Sequence, residues 1–269
     1  MEQERVGRRP LRARPVEVAV SLRGLTKSYG PKRAVNALDL DVPAGSFFGL
    51  VGPNGAGKST TLRMATGLLR PDAGTVTVCD VDVWANPLVA KAQIGVLTED
   101  LRLFDRLSAE ELLSYNGLLR SMDTDVIKQR SDELLEVLGL EHDRGNFVID
   151  FSQGMRKKIA LACALLHAPK VLFLDEPFES VDPISSRTIR TVLEHYTSSG
   201  GTVVFSSHVM ETVERLCDHV GIIHAGRLVA EGPTAQLLNG QRLEDVFFRV
   251  VGAKADDEAS LSWLGTSRA

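Results

Sequence analysis

The sequence predicts an α/β fold built from a parallel core sheet, an N-terminal antiparallel β subdomain and an inserted α-helical subdomain. Residues 47–51, 171–174 and 202–205 are short apolar runs, which is the pattern of parallel strands that helices cover on both faces. Before the first run, apolar and polar residues alternate as they do in half-exposed strands. Helical spacing prevails from residue 107 to residue 166, which predicts one inserted helical unit.

The alternating segments come first along the chain. Residues 16–22 and residues 38–42 both place an apolar residue at every second position. This period of two puts the apolar side chains on one face of a strand and the polar side chains on the other. We expect the two segments to belong to an antiparallel sheet that precedes the core sheet.

Both ends of the chain are predicted to be tails. Residues 1–15 contain five arginines and two prolines, and they lack the apolar core of a signal peptide. We expect a basic, disordered tail, with attraction to an anionic membrane face as the alternative. Residues 252–269 are small, polar and charged, which indicates a second loose tail. The ordered domain is therefore placed at residues 16–251.

A glycine-rich loop separates the run at 47–51 from a helical pattern. Its nine residues are Gly52, Pro53, Asn54, Gly55, Ala56, Gly57, Lys58, Ser59 and Thr60. Glycines let backbone N–H groups converge on phosphate oxygens, and the following helix adds the positive end of its dipole. Lys58 supplies a positive charge for the β- and γ-phosphates, and the Ser59 hydroxyl is a hard oxygen ligand for Mg²⁺. The segment predicts a P-loop NTPase.

The helical segment has recognisable helix ends. Ser108 followed by Glu111 predicts a capping box at a helix N-terminus. Gly139 suits the C-terminal end of a later helix, because glycine tolerates the left-handed conformation found there. That helix has its apolar residues at helical spacing: Ile127, Leu134, Leu135 and Leu138. We place the inserted helical subdomain at about residues 105–166.

The run at 171–174 ends in two carboxylates, Asp175 and Glu176. A strand that ends there would place both acids at the sheet edge where the phosphates would sit. Asp175 would hold Mg²⁺ through its hydration shell, and Glu176 would orient and polarise the attacking water. A pair of solvated acids at a strand end is the alternative, which the preceding phosphate loop disfavours.

Taken in order, these motifs resemble those of the ATP-binding subunit of an ABC transporter over nearly all of residues 17–250. Residues 151–155 occupy the place of the family signature and open a helix at 156–166. In isolation the segment would also fit an ordinary helix cap. The resemblance implies that Ser152, Gln153 and Gly154 grip the γ-phosphate of an ATP molecule bound to the opposite protomer. ATP would then hold two copies together in a head-to-tail dimer.

The resemblance assigns further residues. Tyr29 stands where the family stacks an aromatic ring on adenine. Asp182 lies in the loop that crosses the dimer interface, and His208 fits the histidine that contacts the γ-phosphate. Residues 243–247 resemble the closing segment of ATPases that serve ABC-2 type exporters. The expected catalytic residues are Glu176, His208 and Lys58.

The sequence also departs from the family pattern. Glu99 stands where a glutamine is usual. Its carboxylate would still ligate Mg²⁺, and its extra charge beside the γ-phosphate would slow or retime hydrolysis. Phe178 replaces a small polar residue, and the sequence offers no account of that change. The signature carries three less common residues, which are Phe151, Gln153 and Met155.

The sequence therefore predicts an ATP-binding and ATP-hydrolysing subunit that powers a separate membrane permease, with export favoured over import. The expected cofactors are ATP and Mg²⁺. The expected partners are a second copy and a separately encoded permease, which would hold the subunit on the inner, cytoplasmic face of the cell membrane. No apolar run approaches the roughly 20 residues that a membrane-spanning helix needs. The net charge of −4 disfavours nucleic acid as a partner.

Three other functions compete with this interpretation. A soluble ABC-type ATPase that acts mechanically on ribosomes or DNA would be expected to carry tandem ATPase units or long coiled coils, and neither is visible. A regulatory nucleotide-binding module with little turnover is disfavoured by the intact Lys58 and Glu176, and Glu99 is its only support. A P-loop kinase would leave residues 152–154 and His208 unexplained.

Overall fold

The computed structural model describes residues 17–252, so the two predicted tails, apart from Gly252, lie outside the described residues. The strands are β1 (Val18–Tyr29), β2 (Lys32–Pro43), β3 (Phe47–Val51), β4 (Ala73–Val78), β5 (Val81–Asp82), β6 (Ile94–Leu97), β7 (Val171–Asp175), β8 (Thr202–Ser207), β9 (His219–His224) and β10 (Arg227–Pro233). The helices are α1 (Lys58–Ala65), α2 (Pro87–Ala92), α3 (Ala109–Leu119), α4 (Thr124–Val137), α5 (Gln153–Leu165), α6 (Pro183–Ser198), α7 (Met210–Leu216), α8 (Thr234–Leu238) and α9 (Leu243–Val251).

The first sheet is antiparallel and has the strand order β2-β1-β4-β5. Residues 18–22 of the first alternating segment fall in β1 and residues 38–42 fall in β2. These two strands pair with Leu22 opposite Leu40. The prediction of an N-terminal antiparallel sheet is therefore confirmed. Strands β4 and β5, which complete this sheet, were not anticipated. The turn between β1 and β2 places Tyr29 at the end of the hairpin.

The core sheet has the strand order β10-β9-β3-β8-β7-β6. Every neighbouring pair in this sheet is parallel except β9 with β10. Strands β3, β7 and β8 are buried along their whole length, as the apolar runs predicted. Parallel strands share one carboxyl edge, where ligands bind in open α/β sheets. The loop before α1 and the acids after β7 therefore meet at the same edge.

Two apolar clusters cover the two faces of the core sheet. On one face, Phe48 and Leu50 of β3 pack with the antiparallel sheet and with α1. On the other face, Phe47 and Val51 pack with the helical segment, α6 and α9. Because neighbouring residues of β3 point to opposite faces, one strand anchors both clusters. The phosphate loop that follows β3 thus begins from a strand fixed on both sides.

Helices α3, α4 and α5 lie within the segment that the sequence predicts to be helical. The capping box at α3 is present: Glu111 N donates to Ser108 Oγ at 3.2 Å, and Ser108 N donates to Glu111 Oε2 at 2.8 Å. Gly139, with φ of 62°, follows the end of α4 in the expected left-handed conformation. Within residues 17–252, no helix combines the length and the apolar character that crossing a membrane would require.

Candidate active site

The first turn of α1 presents backbone N–H groups that have no helical acceptor. The first i→i−4 hydrogen bond of this helix runs from Thr61 N to Gly57 O. The N–H groups of residues 58–60 come before it, and the N-cap Gly57 has no side chain that could cap them. These donors lie at the positive end of the helix dipole, which is a favourable place for an anion.

Two glycines are required by the shape of this loop. Gly57 has φ of 111°, and a Cβ there would lie 2.5 Å from Ala34 O in β2. A Cβ at Gly52 would lie 2.1 Å from Ile223 O in β9. Backbone atoms cannot yield by that much, so neither position accepts a side chain without displacement. The loop therefore lies directly against strands of both sheets, which fix its position.

Lys58 is buried and folds back over the loop. Its Nζ donates to Gly52 O at 2.8 Å and lies 3.7 Å from Glu176 Oε1. The side chain thus holds its charge between the start of the loop and the Glu176 carboxylate. An anion that entered the loop would meet this charge at short range, in a setting where water screens it little.

A chain of hydrogen bonds joins the loop to the ends of β7 and β8. Ser59 Oγ donates to Asp175 Oδ1 at 3.0 Å, and Ser206 Oγ donates to the same oxygen at 2.6 Å. The backbone N–H of Glu176 donates to Ser206 Oγ at 3.1 Å. The register of β7 and β8 sets Asp175 opposite Ser206. The core sheet therefore positions both carboxylates relative to the loop.

Glu176 is buried at the base of the site, with a backbone φ of 47°. Its Oε1 lies 3.1 Å from His208 Nδ1, which follows β8. Burial raises the pKa of the Glu176 carboxyl above its ordinary value, and the hydrogen bond with His208 and the charge of Lys58 oppose that rise. A carboxylate with a raised pKa accepts a proton more readily than an ordinary glutamate.

These groups open into a cleft of about 340 Å³. Tyr29, at the end of β1, is half exposed in its wall, and Lys32 lies beside it. Among the predicted loop residues, Gly52, Pro53 and Ala56 stay beneath the surface of the cleft or outside it. The predicted site residues that line the cleft are Tyr29, Asn54, Gly55, Gly57, Lys58, Ser59, Thr60, Glu99, Glu176 and His208.

The signature residues lie elsewhere. Ser152 is the exposed N-cap of α5, and its Oγ accepts from Met155 N at 3.3 Å. Gln153 is also exposed, whereas Gly154 is buried against the start of α6. A Cβ at Gly154 would lie 2.6 Å from Asp182 Oδ2. The structure therefore brings the four residues predicted to act in trans into one patch, outside the cleft of their own chain.

The residues at the cleft supply oxygen ligands for Mg²⁺, and a bound phosphate would have to supply the others. Among residues 17–252, no three acidic, histidine or cysteine side chains are grouped closely enough to hold a metal by themselves. Ser59 and Asp175 nevertheless present hard oxygen atoms 3.0 Å apart, and Glu99 is exposed in the cleft wall after β6. Mg²⁺ is typically held by one or two carboxylates together with phosphates and waters, so these residues fit such a site.

Two residues of the site were missed by the sequence analysis. Ser206 is fully buried and links Asp175 to Glu176. Its only signal was a polar residue near the end of an apolar strand. Lys157 is also buried, and its Nζ donates to Glu176 O at 2.9 Å. The sequence indicated it only as a charged residue one turn after Gly154. The structure shows that this face of the helix is buried.

The structure gives a role to Phe178, a departure from the family pattern that the sequence did not explain. The ring of Phe178 packs edge-on against Phe205 of β8, with ring centroids 5.9 Å apart and an interplanar angle of 90°. Such aromatic pairs contribute about 0.5–1.5 kcal/mol beyond the burial of their area. Phe178 thus helps to fix the segment that follows Glu176 to the core sheet.

Residues 35–179 match the sequence profile of the ABC transporter family. The chain belongs to this family. The daunorubicin/doxorubicin resistance ATP-binding protein DrrA of Streptomyces peucetius is 35% identical over 241 residues, which cover 90% of this chain and 73% of DrrA. The Nod factor export ATP-binding protein I of Rhizobium leguminosarum bv. viciae is 39% identical over 229 residues, which cover 83% of this chain and 72% of that protein.

A solved structure of an ATP-binding subunit of an ABC transporter superposes with a TM-score of 0.81 at 26% identity, covering 87% of this chain and 99% of that chain. The family resemblance and the fold class predicted from the motifs are therefore confirmed. As a member of this family, the chain is an ATP-binding subunit with ATPase activity.

Replacing Ser206 tests the hydrogen-bonded chain at the strand ends. We expect Ser206→Ala to lower the free energy of unfolding by about 1–3 kcal/mol, because the buried N–H of Glu176 loses its acceptor. Ser198→Ala, which removes an exposed hydroxyl from α6, is the control and should change it by less than about 0.5 kcal/mol. Denaturant unfolding measures both values. Equal stability of the two variants would show that Ser206 does not hold the strand ends together.

Proposed function

We propose that this chain is the motor subunit of an exporter, in which two copies close around two ATP molecules and drive a separately encoded membrane permease. The observation that carries the proposal is the hydrogen-bonded chain from Ser59 through Asp175 and Ser206 to Glu176. It joins a phosphate-binding loop to two buried carboxylates, of which Glu176 lines the cleft. The relatives are named for drug resistance and Nod factor export, which supports export as the direction of transport.

In this proposal the loop binds the phosphates of ATP. The N–H groups of residues 58–60 and the Lys58 ammonium supply the positive partners, so Lys58 exchanges Gly52 O and Glu176 for phosphate oxygens. Tyr29 offers an aromatic ring to adenine from the hairpin of the antiparallel sheet. The remaining loop residues proposed to bind the nucleotide are Asn54, Gly55, Gly57, Ser59 and Thr60, which line the cleft, and Gly52, Pro53 and Ala56, which would hold the loop backbone in place.

Three residues are proposed to hold Mg²⁺. Ser59 and Asp175 already lie within hydrogen-bond distance of each other, and Glu99 approaches from the end of β6. Bound Mg²⁺ neutralises negative charge on the phosphates. Glu99 adds a negative charge where the family usually has a neutral glutamine, so we propose that it tunes the rate of turnover and leaves the chemistry possible.

Glu176 is proposed to orient the attacking water and to accept its proton. The buried carboxylate has a raised pKa, which improves it as a base near neutral pH. His208 holds one of its oxygens at 3.1 Å and would contact the γ-phosphate from the end of β8. Because Lys58 and His208 both contact this carboxylate, the three proposed catalytic residues form one connected group before any ligand enters.

A second copy completes the site in this proposal. Ser152, Gln153 and Asp182 are exposed on a patch outside the cleft, so they are available to the cleft of another chain. The exposed N-terminus of α5 suits an anion, and Gly154 keeps α5 close to Asp182. We propose that this patch grips the γ-phosphate bound to the opposite copy, in a head-to-tail dimer.

The position in the cell follows from the partner. We propose that the permease holds this subunit on the cytoplasmic face of the membrane, that residues 16–251 form the ATPase domain, and that the helical subdomain is inserted at about residues 105–166. The alternatives, a mechanical soluble ATPase or a regulatory module without transport, gain no support from relatives named for resistance and export.

Substitution of Glu176 tests the proposed chemistry. We expect Glu176→Gln to retain ATP binding and to lower turnover by at least about 100-fold, because the amide cannot accept the proton. The uncleaved ATP should hold two copies together, which size-exclusion chromatography with ATP and Mg²⁺ would detect. Lys58→Ala should instead weaken ATP binding, by about tenfold or more, because a charge-assisted contact is lost. Turnover at the wild-type rate in Glu176→Gln would remove Glu176 from the mechanism.

Glu179→Gln is the matched control for that experiment. Glu179 lines the same cleft, carries the same charge and is exposed, and among the described residues it forms no ion pair with His208 or Lys58. Its substitution should change turnover by less than about threefold, because an exposed charge is screened by water. A loss equal to that of Glu176→Gln would indicate that net charge in the cleft, and not the position of Glu176, sets the rate.

Mixing two inactive variants tests action in trans. In the Glu176→Gln background, adding Ser152→Arg should preserve ATP binding by the monomer and abolish ATP-dependent dimers, while adding Lys58→Ala should abolish them through lost ATP binding. Mixing the two should restore heterodimers, because each chain supplies what one composite site lacks. Ser198→Arg, at an exposed serine of α6, should dimerise normally. Absence of heterodimers from the mixture would contradict the head-to-tail arrangement.

A further inference from the structure

Lys157 is a buried cation that the proposed mechanism does not use. It is 6% exposed and lies in the second turn of α5. Its Nζ donates to Glu176 O at 2.9 Å. In the part of the chain that the structure describes, no carboxylate oxygen lies within 4.0 Å of this ammonium. Burying a charge without a close counter-ion is costly, so packing alone does not account for a lysine here.

The charge of Lys157 is supported from a distance by the acids of the cleft. Burial lowers the pKa of its ammonium, and four carboxylates that face it from the surrounding strand ends and loops oppose that change. These are Glu179, Asp175, Glu99 and Glu176. Among residues 17–252, the one hydrogen bond that its ammonium donates goes to the backbone of Glu176.

The left-handed backbone conformation of Glu176 requires stabilising contacts. Its φ of 47° lies in the left-handed region, which costs about 1–3 kcal/mol for a residue other than glycine unless the surroundings enforce it. Ser206 fixes the N–H of this residue, and Lys157 fixes its carbonyl oxygen. Glu179 N also donates to that oxygen, at a longer distance of 3.3 Å. In this conformation the carboxylate Oε1 lies 3.1 Å from His208 Nδ1 and 3.7 Å from Lys58 Nζ.

Helix α5 therefore contacts the segment after β7 at two points of the same chain. Gly154 lies against Asp182, and one turn later Lys157 reaches Glu176. The same helix exposes Ser152 at its N-terminus. A displacement of α5 would be transmitted to the Glu176 carbonyl through a single side chain.

We propose that Lys157 is a positioning residue for Glu176: its buried ammonium holds the carbonyl of Glu176, and with it the left-handed backbone that aims the carboxylate into the cleft. It thereby ties the position of α5, which presents Ser152 to the second copy, to the catalytic geometry of its own chain. This inference rests on the proposed role of Glu176 in hydrolysis. Lys157 acts through Glu176 and does not itself line the cleft.

The experiment compares three variants of the full chain by steady-state ATPase kinetics. Lys157→Met keeps the length of the side chain and removes the donor, so kcat should fall by about 10- to 100-fold with an unchanged KM for ATP, the loss typical of a misplaced catalytic group. Lys157→Arg restores a donor and should recover most of kcat. Lys158→Met is the control, because Lys158 is also buried in α5 but makes no hydrogen bond among the described residues; its kcat should stay within about twofold of wild type.

A double variant separates positioning from general damage to the fold. If Lys157 acts through Glu176, adding Lys157→Met to Glu176→Gln should cause no further loss of turnover, because the two effects share one route. Thermal unfolding of each variant gives its folded fraction, so that kcat is compared per folded molecule. A kcat for Lys157→Met equal to that of Lys158→Met would overturn the proposal, as would a multiplicative loss in the double variant.

The same data distinguish failure of this inference from failure of the proposed function. If Glu176→Gln turns over ATP at the wild-type rate, the assignment of Glu176 is wrong and the inference about Lys157 is overturned with it. If Glu176→Gln is inactive while Lys157→Met keeps its kcat, only the inference about Lys157 is wrong. A fall in melting temperature with unchanged kcat of the folded protein would make Lys157 a purely structural residue and would likewise overturn the proposal.

Discussion

The site depends on the burial of two adjacent carboxylates at the end of β7. Asp175 and Glu176 are 4% and 7% exposed, and a buried carboxylate is unfavourable unless hydrogen bonds or cations compensate it. Hydroxyl groups compensate Asp175, while Lys58 and His208 compensate Glu176. These partners come from two distant segments of the chain, the first turn of α1 and the end of β8. Satisfying the two acids therefore forces the phosphate loop, the end of β8 and, through Lys157, helix α5 to converge on one point.

The parallel sheet makes this convergence possible. Strands β3, β6, β7 and β8 run in the same direction, so their carboxyl ends share one edge. The loop follows β3, Glu99 follows β6, the acids end β7 and His208 follows β8. The antiparallel sheet contributes differently, because its hairpin carries Tyr29 to the side of the same cleft. The position of each of these residues is thus set by the point at which a strand ends.

Sequence reasoning succeeded where the signal is local. The glycine loop, the capping box at Ser108 and the acids after an apolar strand are read from neighbouring residues, and the fold class follows from their order. It failed where the decisive contact joins distant segments. Ser206 meets Asp175 only through the register of β7 and β8, and Lys157 meets Glu176 only because α5 packs against the segment after β7. The role of Phe178 likewise becomes visible only from its contact with the distant Phe205.

Nucleotide phosphates and Mg²⁺ should replace the contacts that now link the loop to the two acids. A crystal structure of the Glu176→Gln chain with ATP and Mg²⁺ would show this exchange. We expect Lys58 Nζ to leave Gly52 O for a phosphate oxygen and Ser59 Oγ to lie about 2.1 Å from Mg²⁺. A nucleotide bound outside this cleft, with Lys58 still on Gly52 O and Ser59 still on Asp175, would rule out the proposed phosphate site.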